Sequence, residues 1–198
     1  MVRPRIGLLG GSFDPVHKAH IALAHAAQQS LQLTEVQLLP AANPWQKQSL
    51  GANEHHRLAM LQLAVKDSPY LTVNPIEIER GGATYTYDTV SQLPAGNSYF
   101  WIIGSDQLQK FPTWSRWQDI LQYVELAVAQ RPGDSIQPSL ELLHHLQHLG
   151  KTLHTIDFAP TTISATLIRE RLQQNQSVAN LVAPSVADYI QQHHLYKP

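Results

Sequence analysis

The stretch GGSFDPVHKAH, Gly10 to His20, follows directly on the apolar run RIGLL. A short apolar run of this kind reads as a buried strand. It breaks into two glycines, a Phe13-Asp14-Pro15 turn and then two histidines three apart. Gly10 and Gly11 allow the backbone to approach a ligand with no Cβ in the way. Pro15 fixes its own φ, and Asp14 can accept backbone N–H groups further along. His17 and His20, at i and i+3, share one face of a first helical turn. The N–H groups and positive dipole end of that turn face the same loop. Strand, glycine loop and helix N-terminus together suit an anion such as phosphate.

The rest of the chain is consistent with that placement. Strand candidates are Arg5 to Gly10, Glu35 to Pro40, Leu71 to Ile78, Ser98 to Gly104, Val124 to Gln130 and Thr152 to Phe158. They are rich in β-branched, aromatic or Leu residues and bounded by Gly, Pro, Asn or Asp. Helical patterns lie between them: His17 to about Leu31, Glu54 to about Val65 with Leu58, Leu61 and Val65 on one face, a short helix after Tyr87, and Ser139 to Leu149. Two more follow the last strand, one capped by Ser164 and one opening near Pro184 with Val182, Val186 and Ile190 in a stripe. Strand alternating with helix predicts an α/β, Rossmann-like, doubly wound and mostly parallel sheet flanked by helices. In such a sheet ligands bind beyond the carboxyl ends of the strands, where the winding reverses. With 198 residues and 43% hydrophobic content, one domain over 1–198 is expected, with a C-terminal helical portion from about 164.

Charge and composition narrow the chemistry. The net charge of -1 offers no basic field for nucleic acid, so any bound anion must be held by local donors. No cysteine is present, which removes disulfides, thiolate metal sites and thiol nucleophiles. The first residues lack the apolar run of a signal peptide and no stretch is long enough to span a membrane, so a cytoplasmic location is expected. Eleven histidines invite a metal reading. Yet the clusters at His55-His56, His144-His145, His148 and His193-His194 have no Cys or carboxylate at zinc spacing, and no protein metal site is expected.

The opening stretch has neither the third glycine of a dinucleotide fingerprint nor the Gly-Lys-Ser/Thr of a Walker loop. It resembles GxFDPxHxGH, the signature of the nucleotidyltransferase superfamily that carries the HxGH motif. Six positions match (Gly11, Phe13, Asp14, Pro15, His17 and His20), on the order of a 10⁻⁸ coincidence per start site. The resemblance implies that His17 and His20 serve the α-phosphate region of ATP, with Gly10, Gly11, Ser12 and Phe13 beside the phosphates. Ala19 stands where the family pattern has Gly, which puts a methyl group near the nucleotide. The segment ISATLIRERL, Ile163 to Leu172, resembles the family's second motif, ISxTxIR. Taken alone it is equally a capped helix with a solvated Arg. The resemblance implies that Ser164, Thr166 and Arg169 grip the β- and γ-phosphates. Lys47, in PAANPWQKQS, resembles the lysine that family members place on the phosphates, or else it is an exposed loop lysine.

Three further stretches resemble the nicotinate-nucleotide adenylyltransferase family: GGATYTYDTV (Gly81 to Val90), FWIIGSDQLQKFPTWSRW (Phe100 to Trp117) and AQRPG (Ala129 to Gly133). The match covers nearly the whole chain. It implies that Trp114 stacks on a nicotinate ring, with core packing as its alternative. It implies that backbone N–H groups around Thr86, Tyr87 and Ser115 bind the ring carboxylate. Gly104 and Asp106 would then meet a ribose, with a helix cap as the alternative for Asp106. A pyridinium favours an indole face and a carboxylate favours backbone donors. The implied reaction is AMP transfer from ATP to nicotinate mononucleotide, with Mg²⁺ carried on ATP and held by phosphates and water. Transfer to nicotinamide mononucleotide or another phosphorylated acceptor, and a non-catalytic nucleotide-binding module, stay open. So does a homo-oligomer.

Overall fold

The computed structural model describes residues 3–44, 50–130, 136–159 and 161–197. The first strand, β1 (Arg5–Gly11), leads into helix α1 (Lys18–Ser30), then β2 (Glu35–Pro40), a two-residue β3 (Asn43–Pro44) and α2 (Glu54–Val65). Next come β4 (Leu71–Val73), α3 (Ile76–Arg80), β5 (Ala83–Thr84) and α4 (Thr86–Val90). The second half runs β6 (Ser98–Gly104), α5 (Ser105–Lys110), α6 (Trp117–Tyr123), β7 (Val124–Gln130), α7 (Leu140–His148), β8 (His154–Asp157), α8 (Ala165–Gln173) and α9 (Pro184–Gln192).

Six strands pair in the order β4-β2-β1-β6-β7-β8, every pairing parallel. From β1 the chain winds outward through β2 to β4, then returns to β6 and winds the other way to β8. The reversal lies between β1 and β6. β3 and β5 form a separate parallel pair above it.

Both faces of the sheet are buried, and the side-chain period of two divides the core accordingly. On β6, Phe100 and Ile102 join the cluster formed with α1, α2, α8 and α9. Tyr99, Trp101 and Ile103 join the opposite cluster with α5, α6 and α7. The Val182, Val186 and Ile190 stripe is fully buried on the first face, as its spacing predicts.

Two expectations need correction. The strand drawn over Leu71 to Ile78 ends at Val73, and Ile76–Arg80 is helical. Pro75 has no N–H for a ladder, and Asn74 Oδ1 accepts the Ile76 N–H at 3.1 Å, turning the chain out of the sheet. On α2 the buried set is Arg57, Met60, Leu61 and Val65, with Leu58 only half-buried. A charged residue occupies a position that apolar periodicity assigns to its neighbour.

Candidate active site

β1 ends at Gly11 and β6 at Gly104, side by side at the winding reversal. A cavity of about 300 Å³ opens there. Gly10, Gly11 and Ser12 line one wall, Trp101 and Gly104 the floor, and Thr86 and Trp114 the far side. A smaller cavity of about 170 Å³ continues past the end of β6, lined by Gly104, Asp106, Gln130 and Thr161 among others. Gly104 belongs to both cavities. A Cβ there would sit 2.8 Å from Asp106 Oδ1, so the missing side chain is what lets the Asp106 carboxylate lie across the strand end.

The paired glycines of the first loop have a second physical reason beside the one the sequence suggests. A Cβ on Gly10 would come within 3.1 Å of the Trp101 ring, and one on Gly11 within 3.1 Å of the Phe13 ring. The protein's own aromatic rings fill that space. The glycines bring the backbone against Trp101 and Phe13, which leaves their other side to the cavity.

The N-terminus of α1 is also more occupied than its sequence implies. The Lys18 N–H donates to the Leu181 carbonyl at 2.9 Å, and the His20 N–H to the His17 carbonyl at 2.9 Å. His17 is the N-cap residue, and its own N–H donates to His20 Nδ1 at 3.3 Å. The two rings stack with centroids 3.7 Å apart, and Phe13 meets His20 edge-on at 4.9 Å. With Nδ1 accepting, a neutral His20 carries its hydrogen on Nε2. His17 is buried, and desolvation lowers its pKa from 6.5 to about 4. It is therefore a neutral ring at pH 7, not a cation. It lines a recess beside Ala183 and Pro184, and not either cavity of the strand ends. Ala19 is buried in the first turn of α1, and its methyl lines neither cavity.

The C-terminal motif reaches the first loop directly. Ser164 caps α8, its Oγ accepting the Leu167 N–H at 3.1 Å. Arg169, one turn into α8, donates from Nη1 to the Asp14 carbonyl at 2.6 Å and from Nη2 to Thr166 Oγ1 at 3.3 Å. The Asp14 carboxylate is buried; Oδ2 accepts the Gly51 N–H at 2.7 Å and Oδ1 the Ala52 N–H at 3.0 Å. The two sequence motifs thus meet at one point although they lie at opposite ends of the chain. Arg57, which sequence reasoning missed, supports the loop from behind. Its Nη1 donates to the Ser12 carbonyl at 2.7 Å and its Nη2 to the Ala42 carbonyl at 3.1 Å. Burial lowers its pKa, while Asp14 and Glu54 hold it charged.

On the far side Trp114 packs against Phe111, ring centroids 5.1 Å apart, and turns its other surface to the cavity. Core packing and ligand stacking are therefore compatible for this ring. Its Nε1 is buried without a partner among the described residues. Thr86 lines the cavity. Tyr87 and Ser115 do not; Tyr87 lies under the Arg116 guanidinium, 3.5 Å from its ring centroid, and Ser115 is exposed. Glu77 is a second residue the sequence reading missed. It lines the cavity almost fully buried, and its Oε1 accepts the Thr89 hydroxyl at 2.7 Å. Desolvation raises its pKa, against the Thr89 bond and the Arg80 charge. A Glu in the alternating apolar and charged run IEIER reads as solvated, and gives no sign of facing a pocket until the fold turns it there. Lys47 and the Arg131 to Gly133 part of the third resemblance lie outside the described residues.

Three comparisons bear on this geometry. The cytidylyltransferase-like family profile matches residues 8–171. Proteins named probable nicotinate-nucleotide adenylyltransferase in Bordetella parapertussis and Bordetella pertussis are each 58% identical over 193 residues, covering 98% of both chains. A solved structure titled Plasmodium falciparum nicotinic acid mononucleotide adenylyltransferase complexed with NaAD superposes with a TM-score of 0.75 at 20% identity, covering 98% of both chains. That likeness concerns the fold alone, a parallel six-stranded sheet flanked by helices.

Proposed function

The chain belongs to the nicotinate-nucleotide adenylyltransferase family of cytidylyltransferase-like proteins, and from that premise we infer an enzyme that transfers AMP from ATP to nicotinate mononucleotide. The products are nicotinate adenine dinucleotide and pyrophosphate, a step of NAD biosynthesis. The observation that carries the reading is the pair of cavities meeting at Gly104. One offers an indole wall for a pyridinium, the other a carboxylate for ribose hydroxyls. The strand end between them is where two nucleotides would bring their phosphates together.

The acceptor's 5′-phosphate oxygen attacks the α-phosphorus, the bond to the bridging oxygen breaks, and pyrophosphate leaves with that electron pair. The attacking phosphate is already ionised at neutral pH, so no general base is required. Catalysis is then positioning and donors aimed at developing charge. His20, through Nε2–H, serves the α-phosphate, and the neutral His17 backs it from the adjoining recess by ring stacking. Lys47, Ser164, Thr166 and Arg169 serve the leaving pyrophosphate. Gly10, Gly11, Ser12 and Phe13 shape the loop against which the phosphates lie. Arg169 is within a side-chain swing of that loop, since it already bonds to Asp14. Gly104 and Asp106 meet a ribose, Trp114 stacks on the nicotinate ring, and of the backbone N–H groups expected around Thr86, Tyr87 and Ser115 to take its carboxylate, those at Thr86 are the ones beside the cavity. An ionised Glu77 in the same cavity attracts a cationic pyridinium; the Thr89 hydroxyl and the Arg80 charge favour that form, against desolvation.

ATP is taken as its magnesium complex, the ion neutralising charge on the phosphates. Among the described residues no three His, Cys, Asp or Glu side chains are grouped to hold a metal ion. Among the described residues, no helix is long and apolar enough to cross a membrane.

The test is pyrophosphate release with ATP and, in turn, nicotinate mononucleotide, nicotinamide mononucleotide and phosphopantetheine. Nicotinate mononucleotide is expected to give the highest kcat/KM. Faster turnover with either rival acceptor would reassign the substrate, and ATP binding without release would reduce the chain to a nucleotide-binding module.

A further inference from the structure

Tyr196, in the segment after α9, has φ 62, a left-handed backbone that bulky residues rarely adopt. Its ring is buried and its hydroxyl donates to Asp14 Oδ1 at 2.8 Å, across 182 positions of sequence. The same carboxylate accepts the Gly51 and Ala52 N–H groups and lies 3.7 Å from Arg169 Nη1. Gly51 is squeezed between the parts. A Cβ there would stand 2.8 Å from two Tyr196 ring carbons and 3.2 Å from Arg169 Cδ. Four segments therefore meet at one buried carboxylate: the first loop, the 51–52 turn, α8 and the tail. Burial, with the Asp14 charge, pushes the Tyr196 hydroxyl well above its usual range, so it remains a donor throughout the physiological range.

We propose that Tyr196 is a positioning residue for the phosphate end of the site, setting through Asp14 where Arg169 stands relative to the Gly11–Ser12 loop. The proposal rests on the function inferred above, in which Arg169 grips the leaving phosphates of ATP. Asp14 and ATP compete for the same guanidinium. Every hydrogen bond that Tyr196, Gly51 and Ala52 give to the carboxylate weakens its hold on Arg169 and leaves the cation available to the nucleotide. Removing the hydroxyl leaves the carboxylate one donor short, and Arg169 Nη1, 3.7 Å from Oδ2, is close enough to be drawn onto it.

The experiment compares the full chain with Tyr196→Phe and Gly51→Ala, the second displacing the ring while keeping the hydroxyl. Each variant is expected to raise KM for ATP about five- to tenfold while KM for nicotinate mononucleotide moves less than about twofold. A purely structural role predicts something else: a lower melting temperature and a smaller active fraction, with both KM values unchanged. Unchanged KM for ATP in folded Tyr196→Phe, or an equal rise for both substrates, overturns the proposal. If Tyr196→Phe does not fold, Gly51→Ala decides by the same criterion. A wild-type chain that releases no pyrophosphate strikes the functional reading instead. The ATP-induced rise in melting temperature, smaller in the variants than in wild type, then still decides the positioning claim.

Discussion

Arg57 Nη1 on α2 donates to the carbonyl oxygen of Ser12 at 2.7 Å, and the whole arginine side chain is shut away from solvent. A charged group is thus spent on holding the backbone of the loop that carries Gly10, Gly11 and Ser12 beside the cavity. Its second bond, to the Ala42 carbonyl, ties the end of β2 to the same loop. Arg57→Met keeps much of the apolar stem but leaves two carbonyls without these donors. The expected loss is about 2–4 kcal/mol of unfolding free energy, read by urea denaturation, with a fall in kcat/KM from the loosened loop. Wild-type stability in this variant would mean that water replaces the guanidinium without cost.

His17 gives a pH dependence with a definite sign. Its folded pKa of about 4 lies below the ordinary 6.5, because burial penalises the imidazolium. Between those values the unfolded chain binds more protons than the folded one, so stability rises with pH through the window. It is fully present above 6.5 and is lost as pH falls toward 4, by about 3 kcal/mol in all. Unfolding free energies at pH 7 and pH 4.5 should differ by much of that amount in wild type and by clearly less in His17→Asn. An equal pH slope in the two chains would contradict the buried neutral ring.

His20→Ala removes the side chain that the geometry presents as an Nε2–H donor. Turnover is expected to fall roughly 10²–10³-fold. Circular dichroism should show the fold retained, because His20 is only partly buried. Near-normal turnover would take His20 out of the reaction.

Gly104→Ala tests the junction of the two cavities. The backbone at Gly104, φ −82, accepts any residue, so the fold should survive. The new methyl meets Asp106 Oδ1, the mobile end of an exposed side chain, and displaces it from the strand end. KM for ATP or for the acceptor, whichever ribose Asp106 serves, should rise about tenfold, a loss of the size expected for hydrogen bonds to a charged group. Neither KM moving would exclude Asp106 from ribose binding.

Trp114→Leu keeps apolar contact with Phe111 but removes the flat π surface facing the cavity. KM for nicotinate mononucleotide should increase by roughly tenfold or more, with KM for ATP near wild type. The opposite pattern would assign the larger cavity to ATP.

The sequence by itself determined the alternation of strands and helices, the boundaries of β2, β6 and β7, and the local form of the two motifs, a glycine loop ahead of α1 and a serine cap ahead of α8. These are local matters: apolar runs bounded by Gly and Pro, a serine ahead of a helix, histidines at helical spacing. A residue's partners across the fold are not local, and there the tertiary structure decided. It gave the glycine pair to Trp101 and Phe13, gave the first N–H of α1 to Leu181, and cut the third predicted strand at Asn74. It buried Arg57 where periodicity favours Leu58, and turned Glu77 into the larger of the two strand-end cavities. It also brought Arg169 and Tyr196 onto Asp14 across 155 and 182 positions. The physical reason is common to all of these. A buried polar group must find its partner wherever the chain happens to pass, and only the completed packing of helices on a parallel sheet fixes where that is.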